Sequence, residues 1–79
     1  MAYKMRATIT SIEADIQGPA IIETSRGKFQ TQRGITRLAR HQLLQTAREF
    51  EKSGSPCELR YAPQAGSNHT LLSITEVSG

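Results

Sequence analysis

Residues 35–52, "ITRLARHQLLQTAREFEK", decide the fold of this 79-residue chain. The apolar residues of this segment recur at steps of three and four, at Ile35, Ala39, Leu43, Ala47 and Phe50. That period is typical of an amphipathic helix. Thr36 is a suitable N-cap, and Gly54 is a natural stop just after the last turn. The segment therefore predicts one helix, with strand patterns on both sides of it.

Three strands are predicted before the helix. Residues 3–9 alternate apolar and polar, with Tyr3 on the apolar face, and the alternation shifts phase near Thr10 and Ser11. A phase shift inside a long strand predicts a β-bulge. Residues 20–25 and 28–33 predict a short hairpin that turns at Arg26 and Gly27 and places Phe29 and Thr31 on one face.

Two further strands are predicted after the helix. Residues 57–62 alternate so that Cys57, Leu59 and Tyr61 share one face. A turn rich in Gly, Ser and Asn separates them from residues 69–77. In that last strand Leu72 and Ile74 are expected to pack, with Leu71 and Val77 as further candidates.

The predicted order is β1-β2-β3-α-β4-β5 within a single domain, residues 1–79. A mainly β chain with one helix in this place resembles the OB-fold, a small and partly open barrel of five strands. The resemblance covers the whole chain and consists of element order and length alone. It implies a strand face that holds an oligonucleotide. An open antiparallel sheet with the helix packed on one face is the alternative.

The charge of the chain is concentrated in its middle. The formal net charge is +3, from ten basic and seven acidic residues. No acidic residue lies between Glu23 and Glu49, whereas six basic residues do: Arg26, Lys28, Arg33, Arg37, Arg40 and Arg48. Seven of the ten basic residues of the chain are arginines. Arginine favours planar, bidentate contacts with phosphate or carboxylate.

A helical wheel separates two stripes on the predicted helix. The basic stripe holds Arg37, His41, Leu44 and Arg48, with Arg40 beside it. The apolar stripe of Ala39, Leu43, Ala47 and Phe50 lies roughly opposite. The helix is therefore expected to bury one face and to expose arginines on the other.

These observations predict a small nucleic-acid-binding protein that prefers single strands and reads no particular sequence, with single-stranded DNA as one candidate ligand. The residues expected to touch phosphates are Arg26, Lys28, Arg33, Arg37, Arg40 and Arg48. Among them, the hairpin residues Arg26, Lys28 and Arg33 should dominate. Phe29 or Tyr61 would stack on a base. Tyr3 and Phe50 are expected inside the core.

Two other interpretations of the basic surface stay open. The first is an interaction module that docks its arginines on an acidic protein, with a homodimer as a further possibility. The second is a solvated face that happens to be basic. Oligonucleotide binding would separate the first from nucleic-acid recognition.

Catalytic and metal chemistry is not expected. His41 and His69 have neither a nucleophile nor a carboxylate pair beside them in the sequence, so the chain is not predicted to be an enzyme or to hold a cofactor. The single Cys57 excludes a cysteine zinc cluster, and a free thiol fits a cytoplasmic location. The longest uninterrupted apolar run is Ala20-Ile21-Ile22, so no contact with a membrane is expected.

Overall fold

A computed structural model describes residues 2–14, 18–66 and 68–77 of the chain. Three strands precede the helix and two follow it: β1 (Tyr3–Glu13), β2 (Ile21–Thr24), β3 (Gly27–Thr31), α1 (Arg37–Ser53), β4 (Pro56–Ala62) and β5 (His69–Glu76). The predicted class, mainly β with one helix, is confirmed. So is the order of the elements.

The five strands pair as a ring in the order β1-β2-β3-β5-β4, and β4 returns to β1. All neighbours are antiparallel except β3 and β5, which run parallel. Each strand therefore has two hydrogen-bonded neighbours, and the alternative of an open sheet is wrong. The shortest ladder, between β3 and β5, has only the three registered pairs Phe29↔His69, Gln30↔Thr70 and Thr31↔Leu71.

Strand β1 closes the ring because it pairs on both sides. Its first half, from Tyr3 to Thr8, lies against β4, and its second half, from Ile9 onward, lies against β2. The register shifts between Ile9 and Ser11, where the sequence predicted a bulge. A bulge increases the local bend and twist of a strand. One long strand can thus turn from one neighbour to the other.

The inward faces of the strands and one face of α1 form the core. It consists of Ala7, Ile9, Ala20, Ile22, Phe29, Leu44, Ala47, Cys57, Leu59, Leu71 and Ile74. The predicted shared face of Phe29 and Thr31 is confirmed, since both are buried. The Thr31 hydroxyl accepts a hydrogen bond from the Ala20 N–H at 3.0 Å, so this buried polar group is satisfied.

A second register shift, between Arg60 and Tyr61, changes which residues of β5 face inward. Arg60 pairs with Ser73 and Tyr61 pairs with Leu71, so Leu72 is the extra residue of a bulge. Leu71 and Ile74 are both buried, a spacing of three that simple alternation does not produce. Leu72, which was expected to pack, is therefore only partly buried, whereas Leu71, a further candidate, lies in the core.

Helix α1 packs against β1 and β5. The Thr36 hydroxyl accepts from the Ala39 N–H at 3.1 Å, and Gly54 ends the helix in the left-handed conformation with φ 71°. Both caps are confirmed. The buried face is rotated from the predicted one: Leu44, expected on the basic stripe, is buried with Ala47, whereas Ala39 is exposed.

Candidate nucleic-acid interface

The loop from β3 to α1 turns the chain sharply over residues 32–36. Gly34 adopts φ 78°, a left-handed conformation that glycine takes at no steric cost. The Ile35 N–H donates to the Gln32 carbonyl at 3.4 Å, and the Arg40 N–H donates to the Thr36 carbonyl at 2.9 Å. This turn brings the end of β3 beside the first turn of the helix.

An open cleft of about 510 Å³ lies between this loop and the segment before β2. Its lining consists of Gly18, Pro19, Thr31, Gln32, Arg33, Gly34, Ile35, Arg37 and Arg40. Arg33 and Arg37 are exposed, and Arg40 is half-buried. Three of the six basic residues that the sequence singled out therefore meet at one concave surface, which we call the arginine cleft (Arg33, Arg37 and Arg40).

The charged side chains in the described lining of the arginine cleft are all arginines. No carboxylate is among its described lining residues, and neither Arg33 nor Arg37 forms an ion pair with a described residue. The start of α1 adds the positive end of the helix dipole, equivalent to about half an elementary charge. An anion bound here would meet arginine side chains as well as this dipole.

The placement of these arginines is unfavourable for the helix itself. Cations at a helix N-terminus oppose the dipole, at a typical cost of about 0.3–1 kcal/mol each. The first turn of α1 contains no acidic residue, yet Arg37 begins the helix and Arg40 lies in the same turn. Helix stability therefore does not explain the charges at this end.

The other three basic residues lie away from the arginine cleft. Arg26 lies in the β2–β3 turn, at the opposite end of β3 from Arg33. Lys28 is exposed on β3, with its Nζ 4.0 Å from Oε1 of Glu23. Arg48 is exposed on α1, about 16 Å along the helix axis from Arg37. The expected grouping of Arg33 with the hairpin is therefore wrong, because Arg33 lies with the helix arginines.

The two predicted stacking residues differ in accessibility. Phe29 is 1% exposed, which removes it from the candidates for stacking on a base. Tyr61 is partly buried, and its ring centroid lies 5.4 Å from that of Phe29 in an edge-to-face arrangement. Part of the Tyr61 side chain still reaches solvent.

Sequence reasoning missed a second set of surface residues. Tyr3 was expected in the core but is 48% exposed, because it starts β1 at the end of the ring. Lys4, Arg6 and Arg60 are exposed on the outer side of the β1–β4 ladder, where Lys4 pairs with Arg60 and Arg6 with Glu58. The signal was present in the alternation of residues 3–9 and 57–62, which placed these cations opposite the apolar face.

Within the described residues, no group of three His, Cys, Asp or Glu could hold a metal ion. His69 Nδ1 accepts from the Gln64 N–H at 3.2 Å, and His41 is exposed on α1. Burial raises the pKa of the Cys57 thiol, which donates to the Ala7 carbonyl at 3.5 Å. Cys57 is therefore a core residue, inert as a nucleophile at neutral pH.

Comparisons with models of known protein families and with curated proteins found no match. No helix of the described residues is long and apolar enough to span a membrane. The surfaces described above are thus the basis on which a function can be argued.

Proposed function

We propose that this chain is a small OB-like protein that binds nucleic acid without sequence specificity, prefers single strands and performs no catalysis. The observation that carries the proposal is the arginine cleft, where Arg33, Arg37 and Arg40 line one concavity beside the start of a helix. Phosphates are the anions that such a site suits best, since arginines and helix N-termini both favour them. A free thiol is compatible with a cytoplasmic protein of this kind.

The ring order of the strands supports the OB-like part of the proposal. A five-stranded ring with one helix between β3 and β4 is compatible with that fold. The outer face of β2 and β3 is nevertheless a poor phosphate surface here. Its registered pairs Ile21↔Gln30 and Glu23↔Lys28 carry as many carboxylates as cations. We therefore place the main phosphate contacts at the arginine cleft instead of on this face.

Fluorescence anisotropy with a labelled single-stranded oligonucleotide tests the proposal. Arg33→Glu and Arg37→Glu each remove a cleft cation, and each should weaken binding by roughly tenfold, the size of one lost charge-assisted hydrogen bond. Arg26→Glu and Arg48→Glu are matched controls, because they make the same charge change at exposed positions away from the cleft. Those two variants should weaken oligonucleotide binding by less than about threefold, because they change only the general electrostatic field of the protein.

The same titration has two outcomes against the proposal. Equal losses for all four variants would indicate attraction by net charge, with no site at the arginine cleft. Undetectable binding of the wild-type chain at low salt, to single and double strands alike, would overturn nucleic-acid binding altogether.

An acidic protein partner is the second candidate function. Leu38, which directly follows Arg37, is 66% exposed, and an exposed leucine beside arginines is more typical of a protein interface than of a phosphate surface. Leu38→Ser would then weaken capture of an acidic partner. The same change should leave oligonucleotide affinity unchanged, so it separates the two candidates.

A further inference from the structure

Four aromatic side chains meet at one end of the five-stranded barrel, where β1 and β5 begin and β4 ends. Tyr3 and Tyr61 are registered partners in the β1–β4 ladder, and their ring centroids lie 6.0 Å apart with planes 32° apart. The next ring is that of His69, 5.3 Å from Tyr61 at 35°. Phe29 lies beneath, 5.4 Å from Tyr61 and 6.1 Å from His69. We call Tyr3, Tyr61 and His69 the ring row.

The ring row leads from the core to solvent. Phe29 is 1% exposed, Tyr61 and His69 are partly buried, and Tyr3 is 48% exposed. Phe29 supports Tyr61 edge-to-face, and this arrangement is favourable for aromatic pairs and holds the row in place. Tyr3, the outermost residue of the row, thus packs against a supported neighbour and is about half exposed. A flat aromatic ligand could extend the row at Tyr3.

Two cations are neighbours of the ring row along the strands but face the opposite side of the β1–β4 ladder. Lys4 and Arg60 are partners in the ladder directly beside the Tyr3–Tyr61 pair, and both are exposed. Lys4 forms one exposed ion pair, with Glu58 at 3.6 Å, which is worth little in water. Arg60 forms no ion pair with a described residue. Stacking of a base on an aromatic side chain tolerates any base, so binding at the ring row needs the rings and not these two cations.

We infer that the ring row stacks on an unpaired base of a single-stranded nucleic acid. This inference rests on the proposed nucleic-acid binding and names what makes it selective for single strands, since bases in a duplex already stack on one another. Strand β3 connects the two surfaces. Thr31 lines the arginine cleft, and Phe29, which supports the row, lies about 7 Å away along the strand.

The chain has a built-in probe for this test. It contains no tryptophan, and both of its tyrosines, Tyr3 and Tyr61, belong to the ring row. Tyrosine fluorescence therefore reports on this site alone. Titration with a thymidine 12-mer should quench it. An abasic 12-mer, which has the same phosphates and no bases, should bind at the arginine cleft without that quenching.

Variants assign the affinity to each surface. The wild-type chain should bind the thymidine 12-mer about 5- to 150-fold more tightly than the abasic one, the range expected for stacking of a base on an aromatic ring. Tyr3→Leu should lose most of this preference and leave the abasic affinity unchanged. Tyr3→Phe, which keeps the ring, should retain the preference. Arg37→Glu should weaken both 12-mers equally.

Each contrary result has one meaning. If Tyr3→Leu keeps the preference, or if the abasic and thymidine 12-mers bind equally while Arg37→Glu weakens both, the stacking inference is wrong and the proposed function stands. If neither 12-mer binds, the proposed function fails as well. Concentration-dependent sedimentation that Tyr3→Leu abolishes would instead assign the ring row to contact with a second copy of the chain. A thermal melt of each variant confirms that it is folded.

Discussion

The two ends of strand β3 both carry cations, but their surroundings differ. At the hairpin end, the Thr24 hydroxyl accepts from the Arg26 N–H at 3.0 Å and donates to the Gly27 carbonyl at 2.9 Å, while Lys28 faces Glu23. At the other end, Arg33 joins the start of α1 with no carboxylate among the described lining residues. A run of basic residues in sequence is therefore not one surface. Lys28 has a carboxylate partner across the hairpin, whereas Arg33 has none among the described residues.

The largest effect expected from this comparison is on stability at the hairpin end. Phe29→Ala should reduce the free energy of unfolding by about 3–5 kcal/mol, because it empties a fully buried aromatic site between β2, β5 and Tyr61. Lys28→Ala, on the exposed side of the same strand, should change it by less than about 0.5 kcal/mol. Urea denaturation followed by circular dichroism measures both.

A small loss for Phe29→Ala would contradict the burial of this ring. It would also return Phe29 to the candidates for stacking on a base, and with it the hairpin to the candidate surfaces.

Salt dependence provides the next largest difference between the two ends. If four or five cations touch phosphates, log K for a single strand should fall with log salt at a slope of about −3. Neutralising Arg33 and Arg37 together as glutamines should make the slope shallower by about 1.4, at roughly 0.7 per lost contact. The double variant Arg26→Gln with Lys28→Gln should leave the slope nearly unchanged. The opposite ranking would assign the phosphate contacts to the hairpin.

The sequence predicted the fold because each element carries its own local signal. Alternation identified the strands, the phase shift near Thr10 and Ser11 identified the bulge of β1, and Thr36 and Gly54 identified the ends of the helix. The inward-facing residues of β5 are the exception. The bulge at Arg60 and Tyr61, which makes Leu71 a core residue, depends on the pairing of β4 with β5 and leaves no mark on β5 alone.

The candidate site was predictable in composition and not in arrangement. The six basic residues were visible in the sequence, but the bend at Gly34 and the packing of α1 determine that Arg33, Arg37 and Arg40 meet. Tyr3 was misplaced because alternation gives the face of a strand residue and not its distance from the end of the ring. Contacts between distant segments thus determine both surfaces.

The N-cap of α1 holds the start of the helix beside the arginine cleft, and its loss is expected to have an intermediate effect on the free energy of unfolding. Thr36→Ala should reduce stability by about 1 kcal/mol, because the Ala39 N–H loses its acceptor. Thr36→Ser keeps a hydroxyl and should cost much less. Chemical denaturation of the three proteins measures this. A loss from Thr36→Ser equal to that from Thr36→Ala would show that the threonine methyl, and not the hydrogen bond, stabilises the helix start.

The smallest expected effect is a gain in stability, whereas the other substitutions reduce the free energy of unfolding. Arg37→Glu replaces a cation with an anion at the first residue of α1, so it should raise the free energy of unfolding by about 0.3–1 kcal/mol at low ionic strength. The same change should weaken oligonucleotide binding roughly tenfold, because it removes a phosphate contact. Arg37→Gln should fall between wild type and Arg37→Glu in both measurements, and added salt should shrink the gain in stability. A variant that lost both stability and binding would show instead that Arg37 holds the folded chain together. A gain in stability with a loss of binding would mean that this arginine is retained for a ligand, at the expense of the helix that carries it.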